Sequence, residues 1–127
     1  MLVADASAVV AALLNASARS ALSGDLQVHA PHLMDSEVAS AIRGRVQRGK
    51  LDSRAGWDLL DRYRRLGITR HSTFPMFERI WELRSNLSAY DAAYVALAET
   101  LDCALLTGDA RISTAPGLRC SVTVLPG

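Results

Sequence analysis

Apolar residues fall along this chain in short clusters separated by polar or glycine-bearing breaks. Leu2–Ala4 is an apolar run halted by an acid, which predicts a buried strand. Ala6–Asn15 is rich in Ala and Leu and predicts a helix by propensity. Gly24-Asp25 marks a turn, and Gln27–Ala30 predicts a short strand ended by Pro31. From Leu33 to Arg48, the residues Leu33, Val38, Ala41, Ile42 and Val46 recur at roughly helical spacing, with Gly49 as a stop. Asp52 or Ser53 can cap the next helix, which runs to Leu66 with Trp57, Leu60, Tyr63 and Arg64 spaced by three or four; Gly67 closes it. Ile68–His71 predicts a third strand, despite the polar Thr69 and Arg70. Met76–Ser85 carries Phe77, Ile80, Trp81 and Arg84 in helical register. Ser88–Leu101 is the clearest helix, with Tyr90, Ala93, Tyr94, Leu97 and Leu101 on one stripe that predicts a core or dimer contact. Ala104–Leu106 and Ser121–Leu125 supply the last strands. Short apolar strands separated by helices predict an α/β fold, a three-layer α/β/α sandwich around a mostly parallel sheet.

Composition narrows the class without changing that picture. With 127 residues, 50% hydrophobic and a net charge of +1, the chain is expected to form one domain over residues 1–127 and is too apolar to be disordered. No apolar run approaches the ~20 residues of a membrane span, and the N-terminus lacks the basic start of a signal peptide. Two cysteines, Cys103 and Cys120, make no disulfide framework and sit in no zinc-ligand spacing. The expectation is a cytoplasmic protein that does not engage a membrane.

Charge is spread unevenly. Between Ala41 and His71 nine cations face three acids, while the rest of the chain has five cations and ten acids. Thirteen of the fourteen cations are Arg, whose planar fork suits phosphate. Arg43, Arg45 and Arg48 are candidates for holding a nucleic-acid backbone; the alternative is a solvated helical face.

The acids carry the chemistry. Asp5 follows the first strand, Glu37 and Asp91 are placed in the first turns of helices, and Asp109 follows the Ala104–Leu106 strand after Thr107-Gly108. In a parallel sheet the strand carboxyl ends and helix amino ends share one edge, so all four can meet in one cleft. Each also suits a plainer role: Asp5 and Asp109 as helix caps, Ser88 and Asp91 as a capping box, any of them as a partner of a helix dipole. Taken together, four carboxylates repel unless a cation compensates, and no Lys lies near them in sequence. An all-oxygen set favours Mg²⁺, with Mn²⁺ as substitute, over zinc. Helix amino termini are expected to lower the carboxylate pKa values. An acidic metal pocket beside a basic surface suits a phosphodiester, above all RNA, cut by a metal-activated water to leave 5′-phosphate and 3′-hydroxyl ends.

The segments M-L-V-A-D-A-S-A, S-E-V-A-S-A-I, S-A-Y-D-A-A-Y-V-A-L-A-E and L-L-T-G-D-A-R together resemble a PIN-domain ribonuclease, specifically a VapC-type toxin of a type II toxin–antitoxin pair. The resemblance implies a PIN-like fold and an Mg²⁺-dependent endoribonuclease. It implies that Asp5 and Asp91 are direct metal ligands, that Glu37 is a ligand or acts through water, and that Asp109 reaches the metal through water. Ser7 and Thr107 match hydroxyl residues that orient the acids. A homodimer, a VapB-type antitoxin and structured RNA such as tRNA or rRNA are the implied partners. Gly108 stands where many relatives carry a larger residue, which is expected to loosen the Asp109 turn.

His29, His32 and His71 are not at metal spacing and are expected on the surface or in loops. Trp57, Phe77 and Trp81 are expected in the core or a subunit interface, with base stacking as the alternative. Two other functions stay open: a non-catalytic RNA- or antitoxin-binding module whose acids only cap helices, and a phosphoacceptor domain. The second fits poorly, since Lys50 is the only Lys and lies in a basic loop.

Overall fold

A computed structural model describes residues 1–24 and 26–126. Asp25, half of the expected Gly24-Asp25 turn, lies outside the described residues. Five strands, β1 (Leu2–Ala4), β2 (Val28–Pro31), β3 (Thr69–His71), β4 (Ala104–Thr107) and β5 (Val122–Val124), form one sheet in the order β3-β2-β1-β4-β5. Every described pairing is parallel. The helices are α1 (Ala6–Leu14), α2 (Ala16–Arg19), α3 (Leu33–Gln47), α4 (Ser53–Tyr63), α5 (Phe77–Glu82), α6 (Ala89–Thr100) and α7 (Ala110–Ser113).

The strand order reverses at β1. The chain winds from β1 out to β3, then crosses back to β4 and on to β5. Right-handed crossovers in opposite directions put α1, α3 and α4 on one face and α5 and α6 on the other. That gives the expected α/β/α layers and leaves a crevice at the carboxyl ends of β1 and β4. The core includes Val3, Ala4, Val9, Met34, Val38, Ile42, Leu97 and Leu105. Among the described residues no helix is long and apolar enough to cross a membrane.

Two helices turn a different face inward than their apolar stripes predict. In α4 the buried residues are Gly56, Leu59 and Tyr63, and Trp57 is 52% exposed. The cause is close packing on α3: a Cβ at position 56 would stand 2.8 Å from the Val46 side chain, so only a glycine admits the contact. Ahead of α5, a 3-10 turn at Phe74–Met76 shifts the register, so Met76 and Leu83 go inward while Phe77 and Trp81 stay outside. The core reading of Trp57, Phe77 and Trp81 is therefore corrected. Helix α6 has no single stripe either. Ala92 to Ala98 are all buried, because the helix packs on β1, β2 and β4, and Tyr90 is exposed.

Candidate active site

Asp5 begins where β1 ends. Its N–H still donates to the Leu106 carbonyl (3.0 Å), so the residue is held in the sheet register while its side chain turns into the crevice. Oδ1 accepts from the Ala8 N–H (2.9 Å), which caps α1, and from the Ser7 hydroxyl (2.6 Å). Oδ2 accepts from the hydroxyl of Thr107, a residue with no exposed surface. A carboxylate oxygen accepts more than one bond, so this clamp orients Asp5 and leaves it acceptor capacity. The capping role and a ligand role coexist.

Thr107 ends β4 and ties two acids together. Its Oγ1 also accepts the Asp109 N–H (2.9 Å), which fixes the turn that carries Asp109. Ser7 closes the opposite side by accepting the Gly108 N–H (2.8 Å). A Cβ at Gly108 would sit 3.1 Å from the Ser7 hydroxyl oxygen. The glycine thus tightens the turn by admitting this contact, contrary to the expected loosening.

Glu37 and Asp91 complete the acidic edge. Glu37 is the fifth residue of α3 and so lies in its second turn, not in the first as expected; the acid in the first turn is Asp35. Its Oε1 accepts the hydroxyl of the buried Tyr94 (2.6 Å). Asp91 is in the first turn of α6, and its N–H donates to the capping Ser88 (3.1 Å). Burial raises the Glu37 pKa, and the charges of Asp5 and Asp91 raise it further against the Tyr94 bond. Burial likewise raises Asp91, reinforced by Asp5 and Asp109. Loss of water and mutual repulsion thus push Glu37 and Asp91 upward, against the lowering expected from helix amino termini. Asp109 is held low by hydrogen bonds from Arg111, whose guanidinium grips both carboxylate oxygens (3.0 and 2.8 Å).

Residues from β1, α3, α6 and the end of β4 therefore share one electrostatic neighbourhood. No group of three Asp, Glu, His or Cys among the described residues is close enough to hold a metal ion as it stands. A hard dication is matched by the all-oxygen donor chemistry and by the repulsion that Glu37 and Asp91 share with Asp5, not by a ready-made chelate.

The basic candidates divide. Arg45 and Arg48 line a groove of about 560 Å³ between α1 and α3, and Ser7 and Glu37 form part of the same lining. Arg43 points the other way, into a hollow shared with Trp57 and Leu60 of α4. Positions 45 and 48 share a helix face, while position 43 is turned roughly half a circle from them.

The histidines are also corrected. His29 and His71 stand on the adjacent strands β2 and β3 with Nδ1 and Nε2 2.8 Å apart, and only His32 is an exposed residue outside the sheet. Two partners escaped the sequence reading. Tyr94 reads as core, though a buried tyrosine hydroxyl requires an acceptor. Arg111 lies two residues past Asp109, a spacing that signals local pairing.

Known proteins resemble this chain along its length. The PIN domain family matches residues 2–118. A VapC ribonuclease of Mycobacterium bovis, Mb0985, is 51% identical over 126 residues, covering 99% of each chain. Among solved structures, PAE2754 of Pyrobaculum aerophilum superposes with a TM-score of 0.73 at 20% identity, covering 95% of this chain and 81% of that one. VapBC2 of Rickettsia felis, solved bound to a DNA fragment from its promoter, gives a TM-score of 0.72 at 11% identity and covers 97% of each chain. At those identities the two structures support the fold.

Proposed function

Because the chain belongs to the PIN-domain family, among its VapC ribonucleases, we propose that it is a divalent-metal-dependent endoribonuclease and the toxin of a toxin–antitoxin pair. The observation that carries this reading is the meeting of Asp5, Glu37, Asp91 and Asp109 in one neighbourhood where Arg111 is the cation that pairs with an acid. Asp5 and Asp91 would hold Mg²⁺ or Mn²⁺, with Glu37 and Asp109 beside them. The bound ion would lower the pKa of a water and offset charge on the phosphate oxygens. The protein's own part is orientation. Ser7 and Thr107 fix both Asp5 oxygens, Tyr94 fixes Glu37, and Arg45 and Arg48 take flanking phosphates along the α1–α3 groove. Attack by water on the scissile phosphorus with departure of the 3′ oxygen would leave 5′-phosphate and 3′-hydroxyl ends.

The partners of this reading are structured RNA such as tRNA or rRNA, a VapB-type antitoxin and a second copy of the chain in the cytoplasm. Support for the homodimer comes from Phe74, Phe77 and Trp81, which are 75%, 58% and 67% exposed on one short stretch.

The competing reading is a non-catalytic binding module. It draws on the caps that Asp5 and Asp109 do form on α1 and α7. Asp5→Asn separates the two, because Asn retains an N-cap oxygen while losing the charge. The variant is expected to fold with a stability loss under about 2 kcal/mol and to lose at least about 100-fold in RNA cleavage with Mg²⁺ or Mn²⁺. Wild-type activity is expected to vanish with chelator. Undiminished cutting by the variant, or cutting in chelator, would defeat the nuclease assignment.

A further inference from the structure

Cys103 and Cys120 are both free, half-buried and far from the acidic edge. Parallel pairing of β4 with β5 sets Leu105 opposite Val122, Leu106 opposite Thr123 and Thr107 opposite Val124. The Leu105 N–H donates to the Ser121 carbonyl (2.9 Å), so pairing extends back toward the strand starts. Cys103 stands one residue before β4 and Cys120 two residues before β5, in a bend, so the two flank the starts of a paired set of strands. Neighbouring strands run about 4.8 Å apart, inside the Cα separation of about 4.4–6.8 Å that a disulfide spans. Both cysteines line a single hollow of about 300 Å³ with Ala98, Glu99 and Arg119.

We propose that Cys103 and Cys120 form a dithiol–disulfide site, oxidised by a low-molecular-mass disulfide to an intramolecular bridge between the starts of β4 and β5. One cysteine thiolate attacks the reagent's sulfur–sulfur bond, forming a mixed disulfide and releasing one reagent thiolate. The second cysteine thiolate attacks the cysteine sulfur of that adduct and expels the other. The two cysteines lose two electrons and two protons, and the reagent becomes two thiols. Burial raises both cysteine pKa values, and each group's neighbours modulate it: Glu99, Cys103 and Arg79 around Cys120, Asp102 and the N-terminal amine around Cys103. Bridging is therefore slow near neutrality and quickens as pH rises. The bridge closes the loop that carries α7 and Asp109, yet sits at the amino ends of the strands, opposite the carboxylates. It staples the edge strand β5 without altering cleavage.

The test incubates the full-length protein with glutathione disulfide between pH 7 and 8.5, followed by non-reducing tryptic mapping. Cleavage after Arg84, Arg111 and Arg119 puts the two cysteines on separate peptides. The expected product is the peptide of residues 85–111 linked to that of 120–127, from monomeric protein, with both thiols lost together. Its rate is expected to rise about tenfold per pH unit below the thiol pKa, and melting temperature by about 4–8 °C, reversed by reductant. Cys103→Ser and Cys120→Ser are each expected to stop at a glutathione adduct on the remaining cysteine. Stable adducts on wild type, bridges between chains, two unreacted thiols at pH 8.5, or a bridged form that melts no higher would each overturn the proposal.

Discussion

Thr107 is the residue through which Asp5 and Asp109 are held in one geometry, since its hydroxyl donates to one and accepts from the backbone of the other. Thr107→Val keeps the shape and removes both bonds. It leaves a buried carboxylate oxygen without its donor, so a stability loss of about 1–3 kcal/mol is expected in urea unfolding. Cleavage is expected to fall at least about tenfold, because a carboxylate freed to rotate no longer presents a fixed acceptor. Thr107→Ser should retain most of both; equal damage from Ser would show that the methyl, not the hydroxyl, matters. Thr107 and Ser7 were singled out through the family resemblance of the segments that carry them. Tyr94 and Arg111 were not, since a tyrosine in an apolar stripe looks like core and an arginine among exposed residues looks like solvent-facing charge. Gly108 misled in the opposite sense: absence of a side chain suggests slack, whereas here it admits the Ser7 hydroxyl.

At the scale of elements, α6 is anchored at its far end by Glu99. This half-buried carboxylate takes the Arg79 guanidinium of α5 (2.6 Å) and the Arg119 N–H (2.7 Å), while Arg79 also donates to the Gly117 carbonyl. Burial alone would raise Glu99, but these bonds and charges outweigh it and hold its pKa below the ordinary 4.5. A depressed folded-state value means the stabilisation is complete above about 4.5 and is lost as pH falls through the depressed value. Wild type is thus expected to exceed Glu99→Gln in unfolding free energy at pH 7 and to lose that advantage toward pH 3. A difference constant across the range would refute the assignment. Strand and helix existence was largely readable from the apolar clusters, because short buried strands leave little ambiguity. The inward face of α4 was not. A three- or four-residue repeat through Trp57 looks convincing until Gly56 docks on α3, a contact that depends on a residue with no side chain and hence no hydrophobic signal. The α5 register was hidden by the 3-10 turn before it, which shifts phase without any compositional mark.

Over the whole molecule, the basic third of the chain splits into two surfaces. Arg45→Ala with Arg48→Ala is expected to weaken RNA binding and to reduce the salt slope by about 0.7 per lost phosphate contact. Arg43→Ala, facing α4, is expected to change neither; filter binding at several salt concentrations separates them, and equal effects would reject the groove as the RNA track. On the opposite layer, Phe77→Ser with Trp81→Ser is expected to convert a dimer to monomers in light scattering without lowering melting temperature by more than about 2 °C. A wild-type monomer would remove the exposed aromatics from the account. That the acids lie along one edge of the sheet was expected from their places after strands and near helix starts; the direction of their pKa shifts was not, because it depends on burial that only packing supplies. The order of the sheet has one more consequence. The first strand finds its partner in β4, with Thr107 and Asp5 separated by 102 residues, so no early portion of the polypeptide can assemble the crevice. A chain still emerging from the ribosome carries Asp5 without the hydroxyl that aims it. The crevice is therefore incomplete until almost the last strand has been delivered.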